Sequence, residues 1–496
     1  MQKTKTVLIH TSQVIRDIEP FFMSYLKNDL GFYVIFIVST EEDKNFYKAN
    51  FKNSFNEIIC ISREFESLKR HYKEENLVNE ALKIEERLDT ALWRLFLSER
   101  TIGRGFHASG GFRHPKIRLH TNSNHMDILK IAVSQVNFWE DLFKKENIYM
   151  SINLPNVGHT ISTKKNIHAY RLHEAKFEKR QFWTSNMYIQ PDSIKEIYDE
   201  IKDKNNKEVD ISVPHHGYMT FRMIHIHEFG FLPCLKNSVT NLLRRMYGRF
   251  RGYRKGKNIY AFNEFKYFWN RRKDFYNLRK MSSINSKELK VKKYVYFALT
   301  TEPEIALHGT ATDFFFQLSA INMIARDLPA DYILVVKEHF LAMGRRPQDF
   351  YKQILELKNV FMADPLDHGL PYIKNAQAVA CVTGTSGWEA AAMGIPVISF
   401  TKNNCYNFLD HVFYIDNADD TIDALKNICK KTWPNTKSKS NGAAFYASCI
   451  KDSFDVLDKD TFVSWKETKR KHEENKIKEL SIILHNQLKL KINNIK

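Results

Sequence analysis

Short apolar runs and helical stretches alternate from Tyr294 to Phe400: KKYVYFALT, a helix over Asp313–Asp327, DYILVVKEH, a helix around Gln348–Leu357, NVFMAD, the helix LPYIKNA, AVACVTG, the helix SGWEAAAMG and IPVISF. Runs this apolar suit parallel strands covered by helices on both faces. Five strands with intervening helices predict a doubly wound domain, and in such domains ligands bind at the carboxyl ends of the strands. The loops after those strands are therefore where chemistry is sought.

The first sixty residues repeat the theme more faintly, with strands at Thr6–His10, Phe32–Ser39 and Glu57–Ser62 and a helix over Val14–Leu26. A charged helical region from Glu64 to about Phe96 and a helix over Met126–Lys145 read as additions to this opening α/β lobe. Residues 217 to 290 are helical, basic and aromatic, and the polar stretch Ser282–Lys293 reads as the interdomain linker. The Lys/Asn-rich tail carries Ile477, Leu480, Leu484 and Leu488 on one helix face. The expected organisation is one lobe over 1–285, a second over 286–435 and a helical segment over 436–496 whose apolar stripe packs back on the first lobe.

A chain of 496 residues is long enough for two large lobes, and 36 Phe and 22 Tyr supply ample apolar material. No run reaches the roughly 18 apolar residues that a spanning helix needs, so the chain is read as neither spanning nor secreted; the expected location, cytoplasmic and peripheral at the inner face of the plasma membrane, rests on the basic segment described below. The six cysteines are scattered without a CxxC pair, which fits a reducing compartment and argues against a cysteine-based zinc site. His215, His216, His225, His227 and Glu228 lie close together, but their spacing matches no metal-binding pattern, and no metal is expected. Net charge is +18, and Arg244 to Lys280 holds 13 Lys/Arg against Glu264 and Asp274. Such a face attracts nucleic acid, anionic lipid or a phosphorylated acceptor; interleaved with aromatic rings, it is read as a membrane-docking segment.

Three strand ends carry candidate chemistry. In Ala378–Phe400 a strand runs into the turn Gly384-Thr385-Ser386-Gly387 and then a helix, so the free amides of the first turn suit a phosphate. Ser386 is equally suited to capping its own helix, Gly387 to packing, and Glu389 to interaction with the helix dipole or with ribose hydroxyls. Lys337, Glu338 and His339 end a second strand, and Arg345 and Arg346 follow in the same loop; this is phosphate-holding chemistry, or else a solvated, salt-bridged loop. At the third strand end, Thr300-Thr301-Glu302-Pro303-Glu304 sets two carboxylates in a fixed turn, as acid or base toward a sugar or as plain caps.

TEPE, the KEH loop, GRR, GTSGWEA and GIPVISF, in this order, resemble the bacterial capsule polysaccharide biosynthesis family that includes the capsule Kdo transferases, over about residues 294 to 430 and faintly at Arg100–Arg104. The resemblance implies a GT-B fold: two Rossmann-like lobes, the first (1–285) for the acceptor and the second (286–435) for the nucleotide-sugar, with helical insertions and a helical tail in this chain. It also implies a nucleotide-sugar co-substrate with no other cofactor, and phosphate contacts from His339, Thr385 and Ser386. The family's loop usually reads His-Pro, whereas Phe340 follows His339 here. The expected function is transfer of a sugar, Kdo-like in the nearest case, to a lipid-linked or glycan acceptor. Other capsule assembly proteins are expected partners and nucleic acid is not. A nucleotide-sugar epimerase of the same architecture is the alternative, because phosphate-binding turns do not distinguish transfer from epimerisation, and a nucleic-acid-binding protein is a more distant one.

Overall fold

The structure is a computed structural model that describes residues 5–11, 18–61, 74–97, 124–145, 147–178, 180–204, 208–209, 211, 227–251, 261–302, 305–311, 314, 316–455 and 474–494. Two six-stranded sheets organise the chain. The first comprises β1 (Thr6–His10), β2 (Tyr33–Val38), β3 (Glu57–Cys60), β4 (Ile148–Ile152), β5 (His168–Glu174) and β6 (Gln181–Thr184), in the order β3-β2-β1-β4-β5-β6. All neighbours are parallel except β5 and β6. The second comprises β7 (Lys293–Ala298), β8 (Tyr332–Lys337), β9 (Val360–Met362), β10 (Ala378–Cys381), β11 (Val397–Ser399) and β12 (Val412–Tyr414), in the order β12-β11-β10-β7-β8-β9. Counted within each sheet, both follow the order 3-2-1-4-5-6 of the doubly wound nucleotide-binding fold. The molecule is an α/β protein of two Rossmann-like lobes.

Alternation of side chains along each strand explains why both faces are dry. In the second sheet Val295, Phe297, Leu334, Val336, Ala378 and Ala380 enter one core, while Tyr294, Tyr296, Val335, Val379 and Cys381 enter the other. Leu8, Ile35 and Ile37 divide from Val7, Ile9, Val34 and Phe36 in the same way in the first sheet. Strands that bury both faces between helices have no polar side to show, which is why β7, β8 and β10 stand out in the sequence.

Several boundaries differ from the expected ones. The first helix begins at Glu19 and runs to Asn28; the charged region forms the helix Glu74–Leu88 and a 3-10 turn at Leu92–Phe96. Ser282–Lys293 is not a free linker. Ser283 N donates to Met362 O (3.2 Å), Ile284 bridges to Ala363, and Leu289 is buried. The helices Phe231–Phe250 and Ala261–Met281, expected within the first lobe, form a hairpin seated on the second: Phe229, Phe275 and Leu278 share a core with Val295 and Phe297. Packing therefore changes lobes well before residue 285.

The chain beyond 436 joins both lobes. The helix Thr436–Lys451 stays with the second lobe through Ala444, Phe445 and Cys449, so the return to the first lobe expected over 436–496 begins only after this helix. An antiparallel bridge between Gln181 and Phe454 marks the crossing. The helix Glu474–Asn494 then buries Leu484 and Leu488 among Phe22, Met23 and Trp183, and Trp183 Nε1 donates to Leu484 O at 3.0 Å. Thr310 Oγ1 to Tyr188 O (3.0 Å) and Cys405 N to Gln190 Oε1 (3.3 Å) also join the sequence halves.

Candidate functional site

Strand order reverses between β7 and β10, and there the connections leave on opposite sides of the sheet and open a crevice. Its walls are the loops after these strands. Thr300 Oγ1 donates to Thr383 O at 2.9 Å and ties one loop to the other, while Thr383 Oγ1 is itself buried without a hydrogen-bond partner among the described residues. The loop after β8 joins through His339, whose Nδ1 lies 3.1 Å from Thr301 Oγ1 and accepts from Leu341 N at 3.3 Å. An Nδ1 that accepts an amide proton leaves the ring's own proton on Nε2, available as a donor. Desolvation of the ring lowers the His339 pKa to about 4, against Glu338 and with help from Lys337, Arg346 and Arg345. The residue as a whole is exposed, so its ring can meet a ligand from solvent, and the neighbouring cations Lys337, Arg346 and Arg345 add to the preference for the neutral imidazole.

Gly384 has φ +115°, a conformation that L side chains rarely adopt, and it turns the end of β10 into the helix Thr385–Ala392 without a side-chain cap. Among the described residues no side chain caps that end, and the half-buried Thr385 and Ser386 begin a helix whose first amides suit an anion. Ser386 does not cap its own helix. Gly387 is fixed by packing rather than by ligand approach, since a Cβ there would lie 2.3 Å from Tyr406 Oη and 2.6 Å from Cys381 Sγ. Glu389, 8% exposed, has no side-chain partner among the described residues, and desolvation raises its pKa from 4.5 to about 7. A buried carboxylate without a partner is costly, and such groups concentrate at functional sites.

Behind the crevice lies a closed ionic cluster that reassigns two expected site residues. Arg346, fully buried, makes a two-pronged contact with Glu338 (Nε to Oε2 and Nη2 to Oε1, both 2.8 Å), donates to Thr300 O at 2.7 Å, and pairs with Glu302 at 3.3 Å. Burial opposes its charge, but Glu338 and then Glu302 more than restore it, and the pKa rises. Glu302 also accepts from Gln317 N (3.2 Å) and Nε2 (2.6 Å), at the start of the helix Gln317–Asp327. Neither a buried guanidinium nor a carboxylate spent in this way can reach a sugar or phosphate, so Arg346 and Glu302 hold the loops after β7 and β8 in register. Glu338 adds a bond from His339 N (2.6 Å), fixing the backbone that presents the imidazole.

Of the remaining expected residues, Lys337 is the buried end of β8, opposite Ala298, and Arg345 is half-buried with Nε 3.3 Å from Tyr267 Oη on the hairpin. Arg345 thus contacts the hairpin, while its charge is still felt at His339. Glu304 lies outside the described residues, as do Arg100–Arg104, His215, His216 and His225; among the described residues no cluster could hold a metal. Thr300, Thr301 and Thr383 were not expected in the site, although the Thr-Thr pair at a strand end was visible. At the equivalent position of the first sheet, His10 ends β1 with Nε2 3.3 Å from Ser39 Oγ; burial first, then Arg171, lowers its pKa to about 4.

No protein-family model matches the chain, and no curated protein is similar to it in sequence. Solved structures with a similar fold include the beta Kdo 2,7 transferase KpsC of Thermosulfurimonas dismutans, at 12% identity over 65% of this chain and 81% of that one, TM-score 0.30. A glycosyltransferase from Rickettsia africae ESF-5 covers 98% of this chain and 99% of its own at 9% identity, TM-score 0.30. The UDP-GlcNAc 2-epimerase of Neisseria meningitidis bound to UDP-GlcNAc covers 90% and 98% at 11% identity, TM-score 0.25. At these values the likenesses assign no activity.

Proposed function

We propose that the chain is a glycosyltransferase that takes a nucleotide-sugar in the crevice between β7 and β10 and serves the synthesis of a capsule-like surface polysaccharide. The reading rests on the contacts Thr300 Oγ1 to Thr383 O and Thr301 Oγ1 to His339 Nδ1, which bring the loops after β7, β8 and β10 together at the switch point, and on three groups of different chemistry carried by the loop after β8 and the helix that follows β10. The open amide end of the helix Thr385–Ala392 suits a phosphate, the Nε2–H of His339 suits another phosphate oxygen, and the buried carboxylate of Glu389 suits the ribose diol. Dipole, neutral donor and carboxylate would recognise the three parts of one nucleotide without any resident metal. The capsule role, a Kdo-like donor and a lipid-linked or glycan acceptor rest on the motif resemblance. The first lobe, with His10 at its own switch point, is the side from which the acceptor would enter.

Melting temperature measured with CMP, UDP, GDP and their sugar conjugates tests the donor, since a ligand bound only to the folded state raises stability by about 2.7 kcal/mol at a hundred times its Kd. The expected result is a shift with one nucleotide family, lost in His339→Ala. A shift with none of them would end the proposal. Release of free nucleotide only when an acceptor glycan is present supports transfer, whereas interconversion of the donor sugar without acceptor would establish the epimerase instead.

A further inference from the structure

The hairpin helix Phe231–Phe250 is built inside out. An amphipathic helix on a globular protein ordinarily buries its large apolar side chains. Here the buried positions are Cys234, Ser238 and Gly248, while Leu232 is 72% exposed, Leu243 59% and Phe250 87%, with Leu235, Val239 and Met246 exposed beside them. Spacings of three and four residues set these six on one stripe, about 27 Å long at a rise of about 1.5 Å per residue. Phe262 of the adjoining helix is exposed as well. The charged residues of this helix are all cations, Lys236, Arg244, Arg245 and Arg249, and no acid occurs in it. The rings of Ala261–Met281, expected to meet a membrane, are largely turned inward: Tyr267 and Phe275 are buried and Phe265, Phe268 and Trp269 half-buried.

We infer that the outer face of Phe231–Phe250 lies in the headgroup boundary of an anionic lipid bilayer, its apolar stripe inserted and its cations against phosphate. Charge selects this occupant over a second copy of the chain. A two-fold contact through the stripe would set Lys236, Arg244 and Arg249 against the same residues of the copy, whereas a bilayer surface with anionic lipid meets both the apolar stripe and its cationic flanks. Among the described residues no helix is long and apolar enough to cross a membrane, so the contact is interfacial. The docked hairpin would also hold the crevice close to the lipid surface, because it packs on the loop after β8: a Cβ on Gly344 would lie 2.9 Å from Arg271 Cα.

Co-sedimentation with phosphatidylcholine vesicles, with and without phosphatidylglycerol, reads the contact without turnover and so independently of the donor. Wild type is expected to bind the anionic vesicles and to keep part of that binding in high salt. The triple variant Leu232→Gln, Leu243→Gln, Phe250→Gln and the double variant Arg244→Gln, Arg249→Gln should each bind at least about tenfold more weakly. Melting temperatures should stay at the wild-type value, since the replaced side chains are not buried. Should the triple variant fold poorly, Phe250→Trp gives a second measurement: its emission should shift to the blue and be quenched by bromine-labelled lipid chains. The inference is overturned by wild-type binding in the triple variant, by failure of wild type to bind anionic vesicles, or by a dimer in light scattering that the triple variant dissolves.

Discussion

Glu389→Gln should make the protein more stable and, on the proposed function, a poorer binder of nucleotide. The folded state holds this carboxyl at a pKa of about 7 by desolvation, against an ordinary value of 4.5. Between those values the folded state binds more protons than the unfolded one, so stability falls as pH rises, with the full loss present above the folded pKa. A displacement of about 2.5 units at about 1.36 kcal/mol per unit corresponds to roughly 3 kcal/mol at pH 8, about 0.8 kcal/mol at pH 5, and almost nothing at pH 4. Gln keeps the shape and never ionises, so the variant should recover that difference. Thermal melts at pH 5 and pH 8 measure it: for a lobe of about 200 residues, 3 kcal/mol is about 6–12 °C. A gain at pH 8 that shrinks toward pH 5 supports the reasoning. No gain at pH 8, or an equal gain at both, would refute it. If the ionised carboxylate accepts the ribose hydroxyls, wild-type nucleotide affinity should be about tenfold weaker at pH 6 than at pH 8, following the ionised fraction, and the variant should be flat across that range.

Arg346→Met should destabilise by about 3–5 kcal/mol, because Glu338 and Glu302 are then left buried without their cation; a urea titration reads the loss. The same variant should weaken nucleotide binding only indirectly, through the slackened loops after β7 and β8. Gly387→Ala should cost about 1–3 kcal/mol in the same titration through collision with Tyr406 Oη and Cys381 Sγ, and nucleotide affinity in whatever remains folded should match wild type.

The second lobe is legible in the sequence because its strands are apolar on both faces and end in residues of distinct chemistry. β7, β8 and β10 could be found from VYFA, ILVV and AVAC alone. The missed strands carry polar residues whose partners lie elsewhere in the chain. β4 includes Ser151, which bonds Ser162 Oγ at 3.0 Å, and β5 includes Arg171, spent on Leu154 O (3.0 Å) and Asn156 Oδ1 (2.8 Å). In isolation HAYRLHE does not read as a buried strand. The crevice was legible for the same reason as the sheet: strand ends announce it. What sequence cannot display is competition among partners. Arg346 has the chemistry of a phosphate ligand, and only the fold reveals that Glu338 and Glu302 already claim it. The stripe of Phe231–Phe250 has the complementary problem: its period was visible, but not which face the hairpin covers.

The helix Glu474–Asn494 closes a core whose other walls are the strands β1 to β6 and the helices Glu19–Asn28 and Glu41–Asn50, drawn from residues 6–184, with Phe454 added from the crossing segment. During synthesis that lobe would emerge first and still lack Leu484 and Leu488 until the whole second lobe had followed it out of the ribosome. A partly built sheet with an open apolar face would then wait for roughly three hundred residues of translation, at about 5–20 residues per second. The second lobe is drawn mostly from residues 227–451 and could close sooner, so the order of folding would run opposite to the order of synthesis. Chaperone demand in the cell should therefore fall on the lobe made first, and a released chain truncated after residue 455 should expose the seat of the missing helix while its second lobe is already compact.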